Sequence, residues 1–278
     1  MQFEFPIQPN YAAAGAKGPA NGVTMTCYML STYKEMPWLQ EMPMVILCPG
    51  GGYQFRSARE AEPVATQLMA AGIHVGVLNY SVNPYRYPVA ALEVAQAVRE
   101  VRRHAKEWHV IPDQVYVMGF SAGGHLACTL GTLWDDPLFH KVMGDPVDWR
   151  PDAQLLCYPV ITMGAFAHAG SRTCLLGEDA SAEMIDALSL ENRVTSDTVP
   201  AFLWHTQEDD SVPVENTLQY VCALRKNAVP FELHIFEKGP HGMSLANRLT
   251  ANKPEKSSPD IACWMDMMIR YIERRMSK

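Results

Sequence analysis

Several features are missing from this chain of 278 residues, and each absence removes a class of function. No run approaches the ~20 consecutive apolar residues that a membrane-spanning helix requires, so no membrane partner is expected. The N-terminal MQFEFPIQPNYAAAGAKG has no basic start followed by an apolar run, so it does not read as a secretory leader. There is no C-x-x-C pair. The seven cysteines (Cys27, Cys48, Cys128, Cys157, Cys174, Cys222 and Cys263) are odd in number and scattered, which suits neither a disulfide framework nor a zinc site. Most lie in apolar runs such as MVILCPG and QLLCYP and read as small buried hydrophobes, which points to a reducing cytoplasmic compartment. Basic clusters are absent too. Lys and Arg number 23 against 30 Asp and Glu, a net charge of −7, which disfavours nucleic acid as a partner. No repeat, linker or low-complexity tract breaks the chain.

What is present is ordinary soluble composition, 48% hydrophobic and 19% charged, at a length that suits one α/β domain over residues 1–278. Short apolar runs alternate with amphipathic stretches. Strands are predicted at Met44–Cys48, Ile73–Asn79, Val115–Gly119, Gln154–Tyr158, Ala201–His205 and Phe231–Phe236. Helices are predicted at Glu60–Ala71, Pro88–Trp108, Ser121 to about Trp134, Pro213 to about Asn227, and from near Pro259 onward. This alternation implies a mostly parallel sheet covered on both faces by helices. The first 40 residues are less regular and could add antiparallel strands at one edge. The stretch 162–199 does not alternate cleanly and is read as a small cap excursion.

Four motifs carry chemistry. Gly119-Phe120-Ser121-Ala122-Gly123 matches G-x-S-x-G between an apolar strand and a helix, the strand–turn–helix setting of a nucleophile elbow. Pro49-Gly50-Gly51-Gly52-Tyr53 follows an earlier strand, where an oxyanion hole would draw its amides. Donors are assigned to Gly51, Gly52 and Ala122, the choice among the glycines being open. A phosphate loop is disfavoured, because neither Gly-Lys-Ser/Thr nor G-x-G-x-x-G is present. The turn after Ala201–His205 offers Glu208, Asp209 and Asp210 as an orienting acid, although such residues also cap helices. Lys238-Gly239-Pro240-His241-Gly242 places one histidine in a Gly-rich loop after the last strand, which completes the order Ser…Asp…His. Of the other histidines, His125 is expected to pack beneath the nucleophile and His205 to brace the acid loop; His140 and His168 lack a matching loop context.

The chain resembles the α/β-hydrolase esterases, and within them the bacterial acetylesterase or acetyl-xylan-esterase-like group. The resemblance rests on PGGGY, NYSVNPYRYPVAALEVAQAVR, GFSAGGHLA, LLGEDAS, SLENRVT, FLWHTQEDDSVPVENT and HIFEKGPHGMSLA, which cover most of the chain from about residue 40. In the family pattern the acid stands three residues before Val-Pro, which here is Asp209; related lipases often have histidine where this chain has Pro49. The resemblance implies an α/β-hydrolase fold with a small cap or none. It also implies a serine esterase with Ser121 as nucleophile, His241 as base and Asp209 as orienting acid, needing neither metal nor organic cofactor. The implied substrate is a short acyl ester, acetyl above all, on a carbohydrate. Tyr53, Tyr85 and Arg86 are read as alcohol-side contacts; the segment NYSVNPYRY, which holds Tyr85 and Arg86, offers groups that suit hydroxyls. An arylformamidase or peptidase-like hydrolase on the same fold, or a non-catalytic binding protein, are the rival readings. A homo-oligomer is compatible with all of these.

Overall fold

The computed structural model of the chain describes residues 1–144, 147–251, 253 and 257–276. Eight strands form one sheet: β1 Gln2–Ile7, β2 Val23–Tyr28, β3 Met42–Cys48, β4 His74–Leu78, β5 Val110–Phe120, β6 Ala153–Cys157, β7 Ala201–Thr206 and β8 Phe231–Phe236. Their spatial order is β1-β2-β4-β3-β5-β6-β7-β8. From β4 to β8 every neighbour is parallel, while β1–β2 and β2–β4 are antiparallel. The irregular N-terminus therefore does extend one edge as an antiparallel pair, and the mostly parallel sheet stands as read.

Parallel strands buried on both faces are apolar throughout, and their side chains alternate between two cores. On β3, Met44, Ile46 and Cys48 face one core, and Val45 and Leu47 the other. On β5, Val115 and Val117 oppose Tyr116, Met118 and Phe120; on β7, Ala201 and Leu203 oppose Phe202 and Trp204. The first core is covered chiefly by α2 Val89–Arg103, α4 Ser121–Leu133, α5 Pro137–Met143 and α8 Glu215–Lys226. The second is covered by α1 Glu62–Ala70 and by the C-terminal α9 Pro259–Ala262 and α10 Trp264–Met276. Trp264 is fully buried and stacks on Trp204 with ring centroids 5.1 Å apart. Truncating a buried ring of this size typically costs 3–5 kcal/mol, so this contact holds the C-terminal helix to the sheet. Cys27, Cys48, Cys128 and Cys157 are free and buried.

The boundaries differ from the sequence reading in informative ways. The helix expected over Pro88–Trp108 breaks at His104, and α3 Ala105–Trp108 follows as a separate turn. There His104 stacks on Trp108, and the rings of Phe5 and Trp108 also meet 4.9 Å apart, so tertiary ring packing overrides a continuous helical pattern. Helix α5 has no counterpart in the sequence reading; Asp136 caps it by accepting from the Leu138 amide at 2.9 Å. Residues 162–199 form α6 Ala169–Leu176, α7 Ala182–Ala187 and a 3-10 turn at Leu190–Asn192. Their ends are tied down: Leu190 donates to the Ile161 carbonyl at 3.2 Å, and Val199 to the Gly131 carbonyl at 3.0 Å. Among the described residues, no helix is long and apolar enough to cross a membrane.

The sheet's parallel run sets up the functional end. The chain leaves β3 toward α1 on one face and leaves β5 toward α4 on the other. The adjacent C-terminal ends of β3 and β5 thus diverge, and such a switch point opens a crevice for ligands. The turn between β5 and α4 is unusually tight. A Cβ on Gly119 would stand 2.0 Å from the Gly123 carbonyl oxygen, and one on Gly123 would stand 2.1 Å from the Cys48 carbonyl oxygen. Backbone cannot withdraw as a flexible side chain can. Gly123→Ala should therefore destabilise the protein by roughly 3 kcal/mol, the upper range for overpacking. Gly72→Ala, at φ +81° but with nothing within 4 Å, should cost only the backbone strain of about 1 kcal/mol. Thermal melting of the two variants checks this: equal melting temperatures would show that the turn is not sterically locked.

Candidate active site

Ser121 sits at the end of β5 with φ 51°, a conformation that costs a non-glycine residue free energy and is sustained by the glycine packing around it. Its Oγ lies 2.8 Å from His241 Nε2, and His241 Nδ1 lies 2.6 Å from Asp209 Oδ2. A carboxylate only accepts, so Nδ1 carries the proton and Nε2 is left as the acceptor facing the serine hydroxyl. The loops that bring these groups together are stitched to one another. Thr206 Oγ1 donates to the Gly239 carbonyl at 2.7 Å, and the Gly239 amide donates to Glu208 at 3.2 Å. Glu208 therefore ties loops, and Asp210 is exposed, with a hydroxyl contact from Ser211 at 3.3 Å; of the three adjacent acids, Asp209 alone meets the imidazole.

The Asp209 carboxylate is fully shielded from solvent, and burial alone would raise its pKa. Donation from His205 and His241, the charge that His241 can carry, and the Val212 amide at 2.8 Å outweigh burial and hold it well below the usual carboxylate range. A carboxyl depressed in this way contributes stability above its unfolded value of about 4, and that contribution is lost as pH falls through the lower folded value. His205 braces the acid, as expected: its Nε2 meets both the Val212 carbonyl at 2.9 Å and Asp209 at 3.2 Å, and its Nδ1 meets Thr217 Oγ1 at 2.8 Å. With acceptors on both sides of Nε2, the proton resides there and Nδ1 accepts from the threonine.

The glycine loop lies beside the serine. The Gly50 amide is committed to Glu60 at 2.9 Å, whereas those of Gly51 and Gly52 meet no acceptor among the described residues. Ala122 lies in the first turn of α4, where the helix itself offers its amide no partner. Gly51, Gly52, Ser121 and His241 line a common pocket of about 280 Å³. Its other walls are Gln54, Phe55, Ser57, Arg59, Glu60, His168, Ser211 and Gly242. A larger groove of about 790 Å³, between residues 162–192 and α8, includes none of the residues just described around Ser121.

The expected alcohol-side contacts require correction. Tyr53 is only 2% exposed, and its hydroxyl bonds His125 Nδ1 at 3.0 Å beneath the glycine loop, so it does not reach the pocket. His125 in turn donates from Nε2 to the Leu188 carbonyl at 3.0 Å, and burial lowers its pKa to about 4, which keeps it neutral. Tyr85 and Arg86 do not line the Ser121 pocket either; the Arg86 guanidinium packs over Gly177 at the end of α6. The pocket wall instead includes residues the sequence did not single out. His168 caps α6, accepting the Ser171 amide at Nδ1 at 3.1 Å, so its Nε2 bears the proton. Burial lowers its pKa, and the nearby charge on His241 lowers it further. Glu60 is 3% exposed at the pocket floor. His168 lay in the irregular stretch 162–199 with no signal to mark it, and Glu60 looked like an ordinary helix-start acid. Among the described residues no cluster of three or more His, Cys, Asp or Glu could hold a metal ion.

Comparison with known proteins agrees with this architecture. Endo-1,4-beta-xylanase B of Butyrivibrio fibrisolvens is 35% identical over 209 residues, which are 73% of this chain and 33% of that protein. An acetylxylan esterase of Xylanibacter ruminicola is 33% identical over 204 residues, 71% of this chain and 40% of that protein. This chain thus spans well under half the length of either relative. Among solved structures, an acetyl ester-xyloside bifunctional hydrolase from Caldicellulosiruptor lactoaceticus superposes with a TM-score of 0.83 at 39% identity, covering 98% of this chain and 96% of that one. The BD-FAE family model matches residues 30–224, and the chain belongs to that family of α/β hydrolases.

Proposed function

We propose that the chain is a serine esterase that removes short acyl groups, acetyl above all, from a hydroxyl-rich alcohol such as an acetylated sugar. The observation that carries the reading is the unbroken series Ser121 Oγ, His241 and Asp209 beside amides that have no acceptor of their own. His241 Nε2 takes the proton of Ser121 as the oxygen attacks the ester carbonyl. The developing oxyanion is met by the amides of Ala122 and of Gly51 or Gly52, which are oriented before substrate arrives. Asp209 holds the imidazole in the required tautomer and stabilises the imidazolium. His241 returns its proton to the departing alcohol, and water, deprotonated by the same imidazole, releases the acid.

Two facts support the short acyl group and polar alcohol. The pocket, at about 280 Å³, sits at the small end of ligand sites, and Gln54, Ser57, Arg59, His168 and Ser211 set polar side chains along its wall. An octanoyl chain has six more methylenes than acetyl. Each gains about 0.8 kcal/mol only where an apolar surface covers it. The relatives named as a xylanase and an acetylxylan esterase favour a sugar as the alcohol. His168 Nε2–H and the Arg59 guanidinium supply donors for its hydroxyls.

Ser121→Ala should fold normally and lower turnover of p-nitrophenyl acetate by about 10⁴ or more. A fluorophosphonate should label Ser121; labelling of the alanine variant would remove the nucleophile assignment. Asp209→Asn should cost about 10⁴ in kcat through the wrong imidazole tautomer, with Asp210→Asn close to wild type. Steady-state kinetics of both variants decide whether Asp209 is the orienting acid. A series of aryl esters should peak at acetate to butyrate, and peracetylated xylobiose should release acetate. A peak at octanoate, or no release from any acetylated sugar, would overturn the substrate class and leave the reacting groups untouched.

A further inference from the structure

Glu60 has no part in the proton transfers above, yet it is the most deeply placed charge at the pocket. Its carboxylate is gripped at both oxygens. Oε2 accepts the Gly50 amide at 2.9 Å, and Oε1 accepts the Tyr158 hydroxyl at 2.6 Å. Tyr158's own oxygen accepts the Ser244 amide at 2.9 Å, so its single proton is directed at Glu60. Both contacts deliver protons to the carboxylate, the pattern of an ionised acceptor. Burial pushes its pKa up, and these two hydrogen bonds together with the charges on His241 and Arg59 offset only part of that rise.

The two tethers lead to different parts of the machinery. Gly50 is the residue before the Gly51–Gly52 amides. A Cβ there would lie 2.7 Å from Glu60 Oε2 and 3.0 Å from Ser121 Cβ, so carboxylate and nucleophile flank the same glycine. With its amide fixed on Glu60, Gly50 cannot rotate without breaking a charge-assisted hydrogen bond, and the next amides stay turned toward the pocket. Tyr158 stands edge-on to the His241 imidazole, with centroids 5.1 Å apart, and its hydroxyl also holds Ser244, three residues beyond His241. Ser244 Oγ donates to the Arg59 carbonyl at 2.6 Å, which closes the circuit back to the residue next to Glu60.

We infer that Glu60 is a positioning residue: one buried carboxylate fixes the oxyanion loop through Gly50, fixes the wall behind His241 through Tyr158, and stabilises the imidazolium. The charged and titratable groups facing His241 are then Asp209 from the loop after β7, with His205 behind it, Glu60 and Arg59 from the turn before α1, His168 from the cap of α6, and Tyr158 from the end of β6. Asp209 meets the ring directly. Glu60 acts through space, opposed by Arg59 and by His168 when protonated. Glu60 therefore contributes twice to the same step, by holding donors still and by favouring the positive charge that His241 gains in the transition state.

This rests on Ser121, His241 and Asp209 being the reacting groups, which Ser121→Ala tests independently. The experiment is kcat and KM of Glu60→Gln, Glu60→Asp and Tyr158→Phe for p-nitrophenyl acetate from pH 4.5 to 9, with thermal melting of each. Glu60→Gln should lower kcat roughly 10- to 100-fold, below the loss from deleting an oxyanion donor outright, with KM changed less than about threefold. Without the carboxylate the imidazolium forms less readily, so the acid limb of kcat/KM should move to lower pH by about half a unit or more. Glu60→Asp and Tyr158→Phe retain the charge. Each should lower kcat about fivefold or more, with the acid limb in place. A merely structural residue would lower melting temperature and leave the limb unmoved. Wild-type kcat in Glu60→Gln, or loss of kcat with an unshifted limb, overturns the inference. If the glutamine variant does not fold, wild-type kcat in both charge-retaining variants overturns it.

Discussion

The site depends on a contact between pieces of backbone. Gly123 lies against the carbonyls of Cys48 and Pro49, and Gly119 lies against Gly123, at separations that leave no room for a Cβ. This close approach brings the loop after β3 to the helix turn after β5, and so sets the distance between the glycine-loop amides and Ser121 Oγ. Hydrogen bonds and charges can refine that distance by tenths of an ångström, but they cannot create it. The left-handed Ser121 conformation is a local cost that the surrounding packing sustains.

Asp209 and His241 arrive from the other side of the site, on the loops after β7 and β8. Strands β7 and β8 are parallel neighbours, so their C-terminal loops leave side by side, and the Thr206 and Glu208 contacts to Gly239 join them. Helix α10 supports the same region from below, through the Trp264 indole N–H on the Ser244 carbonyl at 3.0 Å. Two buried carboxylates flank one imidazole, an arrangement that would be costly if either lacked donors. Each has two or more, so charge-assisted hydrogen bonds outweigh desolvation at Asp209 and offset part of it at Glu60.

What could be read from the sequence was whatever leaves a local mark. Strand–helix alternation is a period in the chain, so the parallel sheet was legible; the Asp136-Pro137 start of α5 is a local mark that was passed over, and the break at His104 left none because a ring cluster made it. The nucleophile and the glycine loop announce themselves because backbone that must approach backbone demands glycine nearby in sequence. His241 was marked by its loop, and Asp209 by its offset from Val-Pro once the resemblance was noted. Side-chain direction leaves no such mark. Tyr53 follows the glycines directly, yet its ring turns inward to His125; Tyr85 and Arg86 share a motif with the site but not its walls. Glu60 escaped notice because its meaning lies in a partner 98 residues away.

The buried ring of His125 has a mechanical consequence. It links Tyr53, which ends the glycine loop, to Leu188 in the segment that also supplies His168. Two hydrogen bonds in series through a neutral, solvent-free imidazole join the floor under the glycine loop and the wall that carries His168 into one linked body. Displacing the wall strains the floor. A ligand that settles one settles the other by the same coupling free energy, whichever is engaged first. In the proposed esterase, recognition of the alcohol and stabilisation of the acyl oxygen would in this way be parts of one equilibrium.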